Sequence, residues 1–171
     1  LITYAGMMSQ KSWGPAIRIN AGDANSDPGY AQIAIDASGN AIAVWQEETD
    51  GAARNAVWSS RYSAGGTWSP AATIDNTQGN AIRPQVAVTP GGLAYAAFAQ
   101  STANTGGIMN LTVISFDGAW GTARIIDSVD LTNAGDPRVA IGANGAATVA
   151  YAQSDGIMER VWANTSSSSW S

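Results

Sequence analysis

Apolar and polar positions alternate in short runs along this chain, and one pattern of two apolar runs around a turn occurs three times at a constant spacing of 53 residues. The three copies read AQIAIDASGNAIAVW, PQVAVTPGGLAYAAF and PRVAIGANGAATVAY. A glycine occupies the same turn position in each copy, at Gly39, Gly92 and Gly145. Two β-prone runs that flank a glycine turn predict a β-hairpin. The constant spacing predicts that each hairpin belongs to a repeated unit.

Each unit is predicted to contain four strands, A to D. In the first complete unit, strand A spans 32–36, strand B 41–46, strand C 55–62 and strand D 70–74. Strand D begins at a proline, which suits the outer edge of a sheet because proline cannot donate a hydrogen bond to a neighbouring strand. Further D strands are predicted at 15–19 and 122–126.

A repeat near 50 residues built from short antiparallel strands is typical of β-propeller blades. We therefore predict an all-β propeller array with about three four-stranded blades. Its predicted parts are a partial blade with strands C and D (1–20), two blades (30–75 and 83–127) and a partial blade with strands A, B and C (137–165). Because a closed ring usually takes about four to eight blades, other blades are expected to complete it. They would come from a second copy, as a six-bladed dimer, or from a longer parent chain.

Composition narrows the chemistry further. Eight basic and thirteen acidic residues give a net charge of −5, and Lys11 is the only lysine, so nucleic acid and anionic membranes are poor partners. No apolar run is long enough to predict membrane insertion. The sequence has no cysteine and no histidine, which excludes disulfides, thiol catalysis and catalytic triads that depend on imidazole. Chemistry would rest on carboxylates, tyrosine and arginine.

The segments GPAIRIN, IAIDASGNAIAVWQ and NAVWSSRYSAGGTWSPAATI resemble the repeats of bacterial sialidase-like propellers, which carry BNR or Asp-box turns. That turn commonly reads Ser-x-Asp-x-Gly-x-Thr-Trp. Gly65, Thr67 and Trp68 match its end, whereas Ser63 replaces its aspartate and Arg61 replaces its serine. The resemblance implies a secreted or cell-surface propeller. Family sialidases also use three arginines, a tyrosine nucleophile assisted by a glutamate, and an acid/base aspartate. Their arginine-isoleucine-proline segment is absent here.

Aromatic residues provide one set of candidate ligand contacts. Trp58 and Trp162 lie in predicted C strands, where exposed indole rings would stack on sugars; the alternative is packing between sheets. Trp45, Phe98 and Tyr151 share one register position in strand B, and we interpret them as packing between blades.

Charged residues provide a second candidate site. Arg83, Arg138 and Asp136 lie near the starts of A strands, and Glu47 and Asp50 lie on a predicted neighbouring loop, 47–53. Together they would form the mouth of an axial pocket that binds a sugar hydroxyl or an acidic group. The alternative, which we favour, is solvated ion pairs of little energetic value. A catalytic role for Glu47 with Asp50 or Glu48 as paired carboxylates is the less favoured interpretation.

The one candidate metal site is the segment that contains Asp23, Asn25 and Asp27. Alternating oxygen ligands of this kind can surround calcium. Asx turns that cap their own backbone are the favoured alternative. No other cofactor is predicted.

These observations favour a non-enzymatic, extracellular or cell-surface bacterial module for self-assembly, adhesion or carbohydrate binding. A fragment of a sialidase-like glycoside hydrolase is the alternative.

Overall fold

The computed structural model describes residues 13–20, 26–49, 54–75, 79–101, 107–127 and 132–166. Within these ranges the regular structure consists of antiparallel β-strands, and no helix there is long and apolar enough to cross a membrane. The strands form three separate sheets, each built mainly from consecutive segments of the chain. This is the architecture of a partial β-propeller, and it confirms the predicted fold class.

The sheets share one strand order. The first contains β1 (Gly29–Ile35), β2 (Ala41–Glu48), β3 (Asn55–Tyr62) and β4 (Ala72–Thr73). The second contains β5 (Ala81–Val88), β6 (Ala94–Ser101) and β7 (Met109–Asp117), and both β8 (Ala119–Trp120) and β9 (Arg124–Ile125) pair with β7. The third contains β10 (Ala134–Ile141), β11 (Ala147–Ser154) and β12 (Glu159–Ser166).

The fourth strands differ most from prediction. The predicted D strands at 70–74 and 122–126 shorten to two-residue segments, β4 and β9, which are the residues in ladder register with the adjacent third strand. Ile74 and Ile126, one residue further on, each donate one more backbone hydrogen bond to that strand. The prediction of a strand at 15–19 is wrong, since residues 13–20 contain no strand. A D strand forms only where a C strand pairs with it, and the segment that would precede this one lies outside the described residues. By contrast, strand C of the first unit has its predicted bounds.

The glycine hairpins form as predicted. Gly39, Gly92 and Gly145 have φ values of 84°, 92° and 84°, a conformation that residues with a Cβ rarely adopt. In the first hairpin the carboxylate of Asp36 accepts hydrogen bonds from the side-chain and backbone N–H groups of Asn40. These bonds favour the charged carboxylate and lower the pKa of Asp36.

Face-to-face packing joins the sheets. One core lies between the first and second sheets, and it includes Ile42, Val44 and Val57 of the first and Ala96, Phe98, Ile114 and Phe116 of the second. The other core lies between the second and third sheets, and it includes Ala97, Leu111, Val113, Val149 and Tyr151. Neighbouring residues of β6 therefore face opposite cores. The second sheet is buried on both faces, which explains its many alanines.

The aromatic residues at the shared strand-B position are interior. Trp45 and Tyr151 are each 4% exposed and Phe98 is fully buried. Phe98 and Tyr151 belong to the two inter-sheet cores. The predicted packing role is confirmed for these two residues.

We predict that Phe98→Ala lowers the free energy of unfolding by about 3–5 kcal/mol, because it removes a ring from a core that cannot fully close over the space. Ile125→Ala is the control, since Ile125 lies on the outermost strand and is 54% exposed. Urea unfolding of both variants measures the difference. Equal losses would contradict the inter-sheet position of Phe98.

Candidate functional site

A β-bulge interrupts the first strand of every sheet at the same place. In each case one extra residue enters the register between the first strand and its partner. The bulges lie between Gly29 and Gln32, between Ile82 and Gln85, and between Gly135 and Arg138. Bulges redirect side chains and occur often beside active sites. All three lie where the chain enters the sheet from the longer connecting loops.

Each bulge contains a residue other than glycine with a positive φ. The angles are 53° at Tyr30, 53° at Arg83 and 49° at Asp136. This left-handed conformation costs about 1–2 kcal/mol for an L-residue with a side chain. The three positions are separated by the repeat spacing, so the same costly conformation recurs in each sheet. Strain of this kind clusters at functional sites.

Arg83 connects all three sheets at this point. Its backbone N–H donates to Gln46 Oε1 of the first sheet at 3.0 Å. Its guanidinium donates from Nη1 to Asp136 Oδ1 of the third sheet at 2.6 Å. The side chains of Arg83 and Asp136 are 44% and 58% exposed, so a ligand can reach both. A surface pair of this kind adds little stability, about 0–1 kcal/mol.

The structure therefore brings together two of the predicted charged residues. Arg138 is exposed at the end of the third bulge, and its Nη1 donates to the carbonyl of Pro137 at 2.8 Å. Pro84 and Pro137, which follow the strained residues of the second and third sheets, are fully buried. A proline is tolerated here because the bulge interrupts the ladder that would need its N–H. We name the set Tyr30, Arg83 and Asp136 the bulge triad.

The prediction that Glu47 lies on a loop is wrong. Strand β2 continues to Glu48, and Glu47 is fully buried. Its carboxylate accepts hydrogen bonds from Trp45 Nε1 at 2.6 Å and from Asn20 Nδ2 at 2.9 Å. These partners hold the carboxylate away from solvent, so it does not line the mouth. Asp50, its predicted companion, lies outside the described residues.

Glu47 instead belongs to a repeated buried contact. Gln100 and Gln153 occupy the same register position in the second and third sheets, and both are buried. Gln153 Nε2 lies 3.2 Å from Asp127 Oδ2, just as Asn20 lies beside Glu47. Asn20 and Asp127 each follow an isoleucine at the end of a predicted D strand. These contacts therefore join the end of one unit to the second strand of the next.

Ion pairs also join described residues that lie in or beside the connecting loops. Arg54 Nη1 donates to the buried Asp75 Oδ2 at 2.9 Å and to the carbonyl of Gly79 at 3.1 Å. In the third sheet, the hydrogen bond from Arg160 holds the pKa of Asp155 well below its usual range, with further help from the N–H groups of the loop. Both carboxylates also accept hydrogen bonds from backbone N–H groups, Asp75 from Val57 and Asp155 from Ile157 and Met158, and so hold the local backbone in place.

The two candidate stacking residues are half-buried. Trp162 packs against the core between the second and third sheets, and its Nε1 donates to the carbonyl of Gln153 at 3.0 Å. Trp58 lies directly opposite Trp45 across the strands. Neither ring stands open to solvent, which favours the packing interpretation over sugar stacking.

The predicted calcium segment is described only in part. Asp27 is exposed in a coil segment, and Asp23 and Asn25 lie outside the described residues. Among the residues that the structure describes, no cluster of three or more acidic side chains could hold a metal ion. Calcium binding by this segment stays a prediction.

Sequence reasoning missed Tyr30. This residue precedes Arg83 and Asp136 by the repeat spacing, and it is 59% exposed in the first bulge. An alignment of the three repeats would have found it, because Tyr30 occupies the position that precedes Pro84 in the second copy and Pro137 in the third. The residue type did not mark Tyr30 as a candidate functional residue, because a single tyrosine near the start of a strand is common.

Comparison with known proteins identifies the fold. No protein-family model and no curated protein matches the sequence. Among solved structures, the chain is similar to the Hadza microbial sialidase Hz136, with 16% identity over 84% of this chain and 36% of that one, at a TM-score of 0.63. It is also similar to the GH93 α-L-arabinofuranosidase of Fusarium graminearum, with 15% identity over 83% of this chain and 46% of the enzyme, at a TM-score of 0.62. Both are propeller glycosidases.

A member of the GH130 family of mannoside phosphorylases and glycoside hydrolases is similar at lower score, with 12% identity and a TM-score of 0.51, over 85% of this chain and 48% of that one. The chain thus spans less than half the length of each of these three proteins. At these identities the similarity shows the propeller fold.

We predict that Tyr30→Asn keeps or raises the free energy of unfolding, whereas Tyr30→Val lowers it by about 1 kcal/mol or more, because β-branched residues tolerate positive φ least. Strand propensity alone predicts the opposite order. The same two substitutions at Glu159, an exposed residue of the regular strand β12, serve as the control. Urea unfolding should favour valine at position 159 and asparagine at position 30.

Proposed function

We propose that this chain is a non-enzymatic propeller module that binds carbohydrate at the bulge triad. One observation carries the proposal: Tyr30, Arg83 and Asp136 share the same costly backbone conformation at equivalent positions of three sheets. A fold that needed these positions only for packing would gain stability from glycine or asparagine there. The similarity to sugar-processing enzymes supports this class of ligand.

The side chains of the triad match the groups of a sugar. An exposed tyrosine ring can pack on the apolar face of a pyranose. The guanidinium of Arg83 offers donors and the carboxylate of Asp136 offers acceptors, 2.6 Å apart and both accessible. Adjacent sugar hydroxyls both donate and accept, so they suit such a pair. Because Asp136 already compensates the charge of Arg83, neutral sugars fit better than acidic ones.

The decisive test is binding of neutral and acidic oligosaccharides, first on a glycan array and then by calorimetry. We expect Arg83→Ala and Asp136→Ala to weaken binding of a neutral ligand by about tenfold to a hundredfold, the effect of losing a hydrogen bond to a charged group. Arg124→Ala is the matched control, because Arg124 is an exposed arginine on the outermost strand β9. Its affinity should equal that of the unmodified chain.

Two results would contradict this function. One is a ligand whose affinity is unchanged in both triad variants. The other is an equal loss in the Arg124 control, which would point to a general effect of charge. Thermal unfolding of each variant separates lost binding from lost folding.

Glycoside hydrolysis is the second candidate, and the similarity to a sialidase and an arabinofuranosidase favours it. The predicted carboxylate pair does not support it, because Glu47 is buried against Trp45 and Asn20. Release of a fluorogenic aglycone from a sialoside or an arabinofuranoside would establish this activity. Loss of that turnover in Asp136→Asn, with sugar binding retained, would place the chemistry at the triad and replace the binding proposal.

A further inference from the structure

Two sheet faces at opposite ends of the array carry exposed apolar side chains. On β1, Ile33 is 63% exposed and Ile35 is 66% exposed. On β12, Val161 is 83% exposed. We name the face of the first sheet that contains Ile33 and Ile35 the leading face. The face of the third sheet that contains Val161 is the trailing face.

The leading face repeats a surface that is packed elsewhere in the chain. At the positions that correspond to Ile33 and Ile35, the second sheet has Val86 and Val88, which pack against the core shared with the first sheet. In the third sheet, Val139 corresponds to Ile33 and packs against the core shared with the second sheet. On the leading face, β1 is therefore the part of an inter-sheet contact that is open to a preceding blade, whereas Trp45, which has the position of Phe98 on the same face, is 4% exposed.

The trailing face is the complementary half. Val161 pairs with Ala152 across the strands, in the register that places Val57 opposite Gln46 and Leu111 opposite Ala99. Val57 and Leu111 are fully buried against the next sheet. Val161 occupies the strand position of Val57 and Leu111, but among the described residues no further sheet packs against it.

The geometry points to head-to-tail docking of the trailing face of one copy on the leading face of a second copy. The two faces have the register and residue classes of the two contacts already formed inside the chain, so the new contact continues an existing interface. Three blades in each copy give a ring of six, within the usual range of four to eight. The chain also spans 46% of the GH93 enzyme, so two copies approach the size of one complete propeller chain.

Such docking buries apolar residues that the isolated chain leaves in water. A two-fold axis along the centre of the ring would form both contacts at once, and a closed ring leaves no exposed face for further growth. Blades from a longer parent chain are the competing occupant, and the experiments below distinguish the two.

The first experiment measures the mass of the 171-residue chain by light scattering over a range of concentrations. We expect twice the 17.5 kDa mass of one copy. Val161→Asp and Ile33→Asp should each weaken the dimer at least tenfold, because each places a charge in an apolar contact. Ile125→Asp is the matched control, since Ile125 is 54% exposed on an outer strand away from both faces, and it should remain dimeric.

The second experiment tests which faces meet. The chain has no native cysteine, so Ile33→Cys and Ala150→Cys can be made in separate chains. Ala150 has the strand position of Ala97, which belongs to the same core as Val139, the counterpart of Ile33. Under oxidation we expect a disulfide-linked dimer from a mixture of the two variants and none from either variant alone.

Several outcomes would overturn this inference. They are a monomer at all concentrations, a dimer equally weakened by all three aspartate substitutions, or crosslinking within a single cysteine variant, which indicates a different pairing of faces. Arg83→Ala should still dimerise, so a failure of sugar binding and a failure of assembly give different results.

Discussion

Burial of each sheet against its neighbour is the interaction on which this structure depends. A single unit of about fifty residues cannot bury enough apolar surface to fold alone. The second sheet shows the solution most clearly, because Phe98 faces one core and Ala97 faces the other. Small residues in the inner strands allow close approach of the sheets. The buried polar contacts of Glu47 and Gln153 then fix how consecutive units align.

The proposed binding site rests on the same packing. A positive φ at Arg83 is costly, yet the surrounding contacts compensate for it: Gln46 of the neighbouring sheet accepts its N–H, and Pro84 is buried beside it. The repeated backbone therefore presents one outward position in each sheet. Evolution of the side chain at that position can change ligand chemistry without changing the fold. The tyrosine, arginine and aspartate found here differ completely in character on nearly equivalent backbones.

The charged site was only partly predictable. Arg83 and Asp136 were found because both stand near strand starts, and the structure brings them to 2.6 Å. Glu47 was wrongly predicted to lie on a loop because the point where a strand ends depends on its tertiary contacts. Trp45 and Asn20 donate hydrogen bonds to its buried carboxylate, and Asn20 is 27 residues away in the sequence. Tyr30 was missed because it was singled out by its strained backbone conformation, and a tyrosine at that point in the sequence does not indicate such strain.

The sequence by itself determined the propeller repeat, the hairpins and the inter-sheet position of Phe98 and Tyr151. These features follow from local rules: alternation fixes the two faces of a strand, and a glycine at 84° allows the tight turn. Only the tertiary structure decided which polar groups are buried, how short the fourth strands are, and that Arg83 connects three sheets. Each of these features depends on contacts between segments that are distant in the sequence. A local sequence pattern does not show how much free energy such contacts contribute.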